Sequence, residues 1–246
     1  MKFSIVIPAL NEARWIDATM IAVLQQTYQD FEVIVVDNNS TDATAEKVQH
    51  YVQKDSRVRL ISCTTPGILH ARNAGLHAAT GDVIVQLDAD NIPAAQWLER
   101  AHRHFMREHI VALGGPYEYY DAPWLFHYGS LVVQWLTLPL GNWYVQKRKF
   151  GAFLIGGNAF IKKWVLEDMG GYDIGHTFYS EDLVTAREVA KRGKVAFRLD
   201  MVIKSSARRH NTLGYKAVQG QYNRGTRAVL LGQPIPRQAE ETRHPH

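Results

Sequence analysis

Val83-Ile84-Val85-Gln86-Leu87-Asp88-Ala89-Asp90 is an apolar, β-branched run that ends in two carboxylates two positions apart. Behind the breaker Thr80-Gly81 the run is too short for a helix and reads as a buried strand. Successive side chains on an extended chain alternate faces, so Asp88 and Asp90 share one face at the lip of a sheet. Two carboxylates on one face repel unless a cation or a donor lies between them. Their hard oxygens suit Mg²⁺ or Mn²⁺, and Mg²⁺ is commonly held by one or two carboxylates plus substrate phosphates. A blander role competes with this one: ending the strand before a helix that starts at Asn91-Ile92-Pro93.

Outward from this strand one rhythm repeats. Phe3 to Pro8 is a short apolar strand, and Ile16, Met20, Val23 and Leu24 then fall at helical spacing. Phe31 to Val36 is a second strand, closed by Asp37-Asn38-Asn39-Ser40-Thr41-Asp42, a turn whose side chains suit a helix cap. A helix to about Gln53, a strand Val58–Ser62 and a helix Leu69–Ala79 lead back to Val83. The spacing predicts a fourth helix from Pro93 to about His109. Strand and helix alternating in this way predict a Rossmann-like, mostly parallel α/β sheet flanked by helices. Ligands bind such sheets outside the carboxyl ends of the strands, where Pro8, Ala9, Asp37 and Asp88 all fall.

After residue 110 the pattern changes. Residues 122–146 hold no Asp, Glu, Lys or Arg, but carry Trp124, Phe126, Tyr128, Trp135, Trp143 and Tyr144, and Lys147-Arg148-Lys149 follows at once. This aromatic insert reads either as a helical cover over a cleft or as a segment at a membrane interface, where Trp and Tyr concentrate beside basic clusters. A strand-like stretch surrounds Gly156-Gly157-Asn158, a turn falls at Gly170-Gly171-Tyr172-Asp173, and a helix runs from about Glu181 to Arg192. Val195-Ala196-Phe197 is a short strand, Arg208-Arg209-His210 is expected in a loop, and Tyr215 to Leu231 is a further helix. The polar end, Pro234 to His246, is expected to fray.

Composition bounds the class. Of 246 residues, 46% are hydrophobic and 21% charged, the balance of a globular chain, and the length fits one large domain or one and a half small ones. The single cysteine, Cys63, rules out an intrachain disulfide and suits a reducing cytosol. The N-terminus is interrupted too early for a signal peptide, and no run of about twenty apolar residues is present to span a bilayer. The net charge of +4 is uneven: residues 191–246 carry twelve Lys/Arg against three Asp/Glu. Such a basic segment suits phosphates, and arginine pairs such as Arg208-Arg209 suit diphosphate oxygens.

Four segments together resemble the inverting family 2 glycosyltransferases of GT-A fold: Ser4-Ile5-Val6-Ile7-Pro8-Ala9-Leu10-Asn11-Glu12, Val36-Asp37-Asn38-Asn39-Ser40-Thr41-Asp42, Ala71-Arg72-Asn73-Ala74-Gly75, and Asp88-Ala89-Asp90. A second block, from Gly156-Gly157-Asn158 through Gly170-Gly171-Tyr172-Asp173 to Ser180-Glu181-Asp182-Leu183, is similar to the family's acceptor half. The resemblance implies that residues 1–110 bind a nucleotide-sugar. Residues 111–210 would then bind an acceptor and supply the catalytic base, and 211–246 form a basic C-terminal helix and tail. It implies donor contacts from Pro8, Ala9, Asn11, Glu12, Asp37, Asn39, Arg72, Asp88, Ala89, Asp90, Gly157, Asn158, Arg208 and Arg209. Within that set Asp37 would meet uracil or ribose, and Arg72 the base. It places a divalent metal, Mn²⁺ or Mg²⁺, on Asp90 and Asp88 with His210 as a candidate third ligand, and the base on Asp182 with Glu181 beside it. Asn38 departs from the second Asp of many relatives.

The implied activity moves a sugar, from a UDP-sugar above all, to a glycan or lipid-linked acceptor in polysaccharide or cell-envelope biosynthesis. The implied setting is the cytoplasm, with a peripheral place on the inner face of the membrane if residues 122–149 meet lipid. A polyprenyl-phosphate glycosyltransferase is the nearest alternative, and a nucleotide-binding pseudoenzyme the non-enzymatic one. A nucleotidyltransferase would need a glycine-rich basic loop, which Pro8-Ala9-Leu10-Asn11-Glu12 is not. No recognised nucleic-acid module accompanies the basic residues, so nucleic acid is not an expected partner.

Overall fold

The structure, a computed structural model, describes residues 1–175 and 181–233. Strand β1 (Phe3–Ala9), helix α1 (Ile16–Leu24), β2 (Phe31–Asp37), α2 (Thr44–Lys54), β3 (Val58–Ser62), α3 (Ile68–Ala78) and β4 (Val83–Leu87) follow the expected alternation. Beyond them come β5 (Ile92–Pro93), α4 (Trp97–Arg107), β6 (Ile110–Gly114), β7 (Tyr117–Tyr119), α5 (Trp124–Lys147), β8 (Asn158–Lys162) and α6 (Lys163–Asp168). The chain continues through α7 (Glu181–Ala190), β9 (Lys194–Phe197), β10 (Ile203–Ser205), α8 (Arg208–Leu213) and α9 (Tyr215–Leu230).

The main sheet has the order β3-β2-β1-β4-β8-β6-β9. Strands β1 to β4 run parallel, β8 is antiparallel to both its neighbours, and β9 is parallel to β6. Beside β1 the order turns from β2 to β4, which opens a crevice at the carboxyl ends of these strands. The strands are apolar on both faces because both are covered. Phe3, Ile5, Val33, Val35 and Val85 pack with residues of α1, α2 and α4, while Val6, Ile34, Val36 and Ile84 pack with those of α3, α6 and α7.

Three elements depart from the sequence reading. The fourth helix starts at Trp97, and Ile92–Pro93 pairs instead with β10 as an edge strand. Proline disfavours helical geometry in the residue before it and has no N–H to give a ladder, so it belongs at an edge. The apolar stretch Ile110–Gly114, just past the expected helix end and given no element by the sequence reading, is the strand β6 between β8 and β9. Arg208-Arg209-His210 opens the helix α8 rather than lying in a loop. The expected frayed end, Pro234–His246, and Ser180 lie outside the described residues.

The aromatic insert is one helix, α5; Val145 and Leu138 pack on Phe153, Leu183 and Val229, Phe126 lies against Tyr119 and His210, and three amides hold it to strand backbones. The Gln134 side chain accepts from the Tyr117 N–H (2.8 Å) and donates to the Tyr117 carbonyl (3.0 Å). Gln146 likewise accepts from the Val195 N–H (2.9 Å) and donates to the Val195 carbonyl (2.8 Å), joined there by Asn142 (3.0 Å). Tyr117 and Val195 stand on β7 and β9, each at the edge of its sheet, so the helix caps two open edges with side-chain hydrogen bonds.

Candidate active site

The two carboxylates after β4 part ways. Asp88 is partly exposed, and its Oδ2 accepts from the Tyr117 hydroxyl at 3.3 Å. Gly157 lies flush against this pair: a Cβ there would stand 2.2 Å from Asp88 Oδ2 and 2.3 Å from Tyr117 Oη. Buried Asn91 fixes that approach by donating to the Gly157 carbonyl at 2.8 Å. Asp90 is buried, 3.1 Å from Arg208 Nε, and Arg208 also bonds Glu12. Burial pushes the Asp90 carboxyl up to about 7, against the pull of Arg208 and with a push from Asp88 and Glu12. Ala89 between them turns inward, and its carbonyl accepts from Thr19 Oγ1 at 2.7 Å.

Across the crevice Asp182 sits in the first turn of α7. Its Oδ2 accepts from the Gly156 N–H at 2.9 Å, and its Oδ1 lies 3.3 Å from Arg72 Nη1. Gly156 must lack a side chain here, since a Cβ would fall 2.1 Å from Asp182 Oδ1. Burial raises the proton affinity of Asp182 above that of an ordinary carboxylate; Arg72 opposes this and Asp88 adds to it. Glu181 is buried too, with Oε2 lacking a hydrogen-bond partner, and burial and the Asp182 charge raise it likewise.

Arg72 joins the two sides. It is 3% exposed on α3, with Nη1 toward Asp182 and Nη2 3.8 Å from Asp88 Oδ1. Burial works against its charge, yet Asp182, Asp88 and Glu181 hold its guanidinium protonated, above its ordinary value. The residue expected at the nucleotide base thus bridges the carboxylate after β4 and the one that opens α7. Tyr117, Asn91 and Gly156 also belong to this arrangement and were absent from the expected set. Gly156 falls in the Gly156-Gly157-Asn158 run but carried no role of its own, and Tyr117 and Asn91 act through partners far off in sequence.

Other expected residues shape the crevice. Pro8 and Ala9 end β1, and the Ala9 carbonyl accepts from the Asn38 N–H. Asn11, at φ 56°, links two loops: its N–H donates to Ser40 Oγ and its Oδ1 accepts from the Thr41 N–H. Asp37 ends β2 and accepts from the Ser40 N–H at 3.3 Å, while Asn39, at φ 68°, donates to the Thr64 carbonyl. The departure at Asn38 has a structural reason. Its amide donates to the Cys63 and Thr65 carbonyls and accepts from the Gly67 N–H, which a carboxylate could not do. Asn158 is turned away from the crevice: fully buried, it accepts from Trp97 Nε1 and donates to the Met201 carbonyl. The Arg209 charge reaches Glu181, Tyr119 and His210.

Among the described residues no three His, Cys, Asp or Glu side chains gather into a metal group. His210 is therefore not assembled with Asp88 and Asp90 as expected. Its ring lies among Tyr119, Phe126 and Tyr215, with Nδ1 buried and without a hydrogen-bond partner, and burial followed by the Arg209 charge lowers it to about 4. Asp88 and Asp90 remain hard-oxygen groups, and the burial of Asp90, which Arg208 offsets only in part, is what a divalent cation would relieve. Two carboxylates fit a cation whose remaining ligands are diphosphate oxygens and water.

A mostly parallel sheet with a crevice beside β1 and carboxylates at its lip defines an α/β domain of GT-A fold. The chain belongs to glycosyl transferase family 2, whose profile matches residues 4–170. An uncharacterized glycosyltransferase of Haemophilus influenzae is 35% identical over 119 residues, 48% of this chain and 48% of its own. The Escherichia coli protein named UDP-Glc:alpha-D-GlcNAc-diphosphoundecaprenol beta-1,3-glucosyltransferase WfgD is 36% identical over 116 residues, 47% of this chain and 45% of its own. The chain thus spans about half the length of the curated relatives it matches. Among solved structures, the mannosyltransferase PcManGT from Pyrobaculum calidifontis, in complex with GDP-Man and Mn²⁺, superposes with a TM-score of 0.73 at 24% identity, over 95% of this chain and 65% of that one.

Proposed function

We propose that this protein is a metal-dependent inverting glycosyltransferase that moves a sugar from a UDP-sugar to a hydroxyl of a lipid-linked or free glycan. One observation carries the reading: a single buried guanidinium, Arg72, meets Asp88 from the end of β4 and Asp182 from the start of α7. Donor-side and acceptor-side carboxylates thereby face one point, as in-line displacement of a nucleoside diphosphate by a hydroxyl requires. Family membership supports the reaction class, and the substrates in the names of WfgD and PcManGT support a nucleotide-sugar donor.

In this reading residues 1–110 hold the donor and 111–210 the acceptor. Asp182 Oδ1 or Oδ2 takes the proton of the acceptor hydroxyl, and its raised proton affinity suits a general base. Arg72 and Gly156 N–H fix its orientation. Arg208 and Arg209 supply positive charge for the diphosphate. A divalent cation on Asp88 and Asp90 would act as a Lewis acid toward the departing diphosphate.

The test is a thermal-shift and hydrolysis screen of nucleotide-sugars with Mn²⁺ and with Mg²⁺. Stabilisation by one nucleoside diphosphate only when the metal is present is the expected result. Failure of every nucleoside diphosphate to stabilise the protein would overturn the reading.

A further inference from the structure

We propose that α5 is a docking surface for an anionic lipid bilayer. This helix is apolar on its outer side as well as at its few inner contacts. Inward, the amides of Gln134, Asn142 and Gln146 grip the backbone of β7 and β9, and Val145 with Leu138 packs on Phe153, Leu183 and Val229. Its outward face is apolar: Leu125, Tyr128, Val132, Leu136, Leu140 and Trp143 recur at steps of three and four, and each is more than half exposed. Trp124, at 73% exposure, and Trp135, at 50%, lie beside that stripe. A continuous apolar patch of this extent marks an interaction surface.

The charge pattern selects the occupant. No Asp, Glu, Lys or Arg interrupts residues 122–146, and the exposed cations Lys147, Arg148 and Lys149 follow directly. Lys147 Nζ stands 5.0 Å from the Trp143 ring centroid and Arg148 Cζ 5.7 Å from that of Tyr144, so charge and aromatic edge share one end of the helix. At that end a cavity of about 680 Å³ is lined by the cations Lys149, Arg187, Lys191 and Lys194. Of these, Lys191 also pairs with Glu188 and Lys194 with Glu108. A second copy of the chain offering the same helix would bring no acidic residue from 122–149 to meet these cations. An anionic bilayer supplies an apolar layer for the stripe and phosphates for the basic end.

Among the described residues no helix is long and apolar enough to cross a membrane, so α5 would lie in the interface plane. The same helix touches the candidate site: Gln134 holds Tyr117, whose hydroxyl meets Asp88, and the Phe126 ring packs 4.8 Å from that of His210. Docking would set the crevice at headgroup depth, within reach of the diphosphate of a lipid-linked acceptor. That last consequence rests on the function proposed above, whereas the docking itself does not.

Flotation of the full chain with phosphatidylcholine vesicles, with and without phosphatidylglycerol, tests the proposal. Wild type should rise with the anionic vesicles. Lys147→Gln/Arg148→Gln/Lys149→Gln should bind them about a hundredfold more weakly, given the attraction of each basic residue near an anionic surface. Leu136→Ser/Leu140→Ser/Trp143→Ser should not float, while keeping its circular dichroism and its stabilisation by a nucleoside diphosphate. Wild type that stays at the bottom with anionic vesicles would overturn the proposal, as would an apolar-face variant that floats as well as wild type. A solution dimer that the apolar-face variant dissolves, seen by light scattering, would assign the surface to a second copy instead. Nucleotide stabilisation is read in a separate experiment, so loss of flotation leaves the transfer reading standing.

Discussion

Replacing Gly156 by alanine should cripple the base and spare the donor site. The new Cβ would lie 2.1 Å from Asp182 Oδ1 and 2.6 Å from its Cγ, whereas ordinary contact begins at 3.4 Å. The carboxylate must therefore retreat by more than ~1 Å, a misplacement of the size that costs about a hundredfold in rate, or about 2.7 kcal/mol of barrier. The retreat also disturbs the 2.9 Å bond from the Gly156 N–H and the 3.3 Å approach of Arg72. Gly157→Ala is the matched control, since its Cβ would strike Asp88 and the Tyr117 hydroxyl instead. In steady-state assays of nucleoside diphosphate release, Gly156→Ala should lower kcat about a hundredfold with the donor KM unchanged. Gly157→Ala should raise the donor KM. A folded Gly156→Ala variant with wild-type kcat, or identical profiles for the two variants, would refute the division into a donor and an acceptor carboxylate.

Three further outcomes follow from the same geometry. Asp182→Asn keeps an oxygen for the Gly156 N–H but cannot take a proton, so transfer should vanish while nucleoside diphosphate affinity by calorimetry holds. Substantial residual transfer would remove Asp182 as the base and favour a phosphate acceptor. Glu32 is buried, which alone would raise its carboxyl; the Ser4 hydroxyl and the Thr80 N–H and hydroxyl outweigh this and hold it below the ordinary 4.5. Its folded value is depressed, so its stabilisation is present above that ordinary value and is lost as pH falls through the lower one. Glu32→Gln should cost about 1.5–3 kcal/mol at neutral pH, and the gap in Tm should close under acid; a gap independent of pH would contradict the assignment. Asn38→Asp turns a carboxylate toward the Cys63 and Thr65 carbonyls and should lower stability by about 1–3 kcal/mol in denaturant titration. An unchanged midpoint would show that the amide donors contribute nothing.

The first half of the fold was legible because its physics is periodic. Strands buried on both faces must be apolar throughout, and the helices over them must show one apolar stripe, so β1 to β4 could be read residue by residue. Asp88, Asp90, Glu181 and Asp182 were legible for a different reason: carboxylates at a strand end or helix start stand out against an apolar background. Their meeting was not legible. It depends on Arg72 reaching both sides from α3, and on Gly156 and Gly157 giving up side chains so that two carboxylates can lie on the backbone. Tyr117 and Asn91 carry no local signature at all.

Helix α5 was ambiguous for a physical reason that also bears on its role. Helical periodicity identifies a buried stripe only when the apolar side faces the core. Here much of the inward side is the amides Gln134, Asn142 and Gln146, which cover two strand edges, and only Leu138, Val145 and Phe126 supply apolar contacts. Amides can satisfy such edges and leucines cannot. Most of the other apolar residues are then left on the outside, where they pack on nothing in the isolated chain. A fold that needed only edge capping would be served as well by charged or polar residues at Leu125, Tyr128, Val132, Leu136, Leu140 and Trp143. Their apolar character therefore points to a partner, and the lysine-arginine cluster at Lys147-Arg148-Lys149 gives that partner its sign.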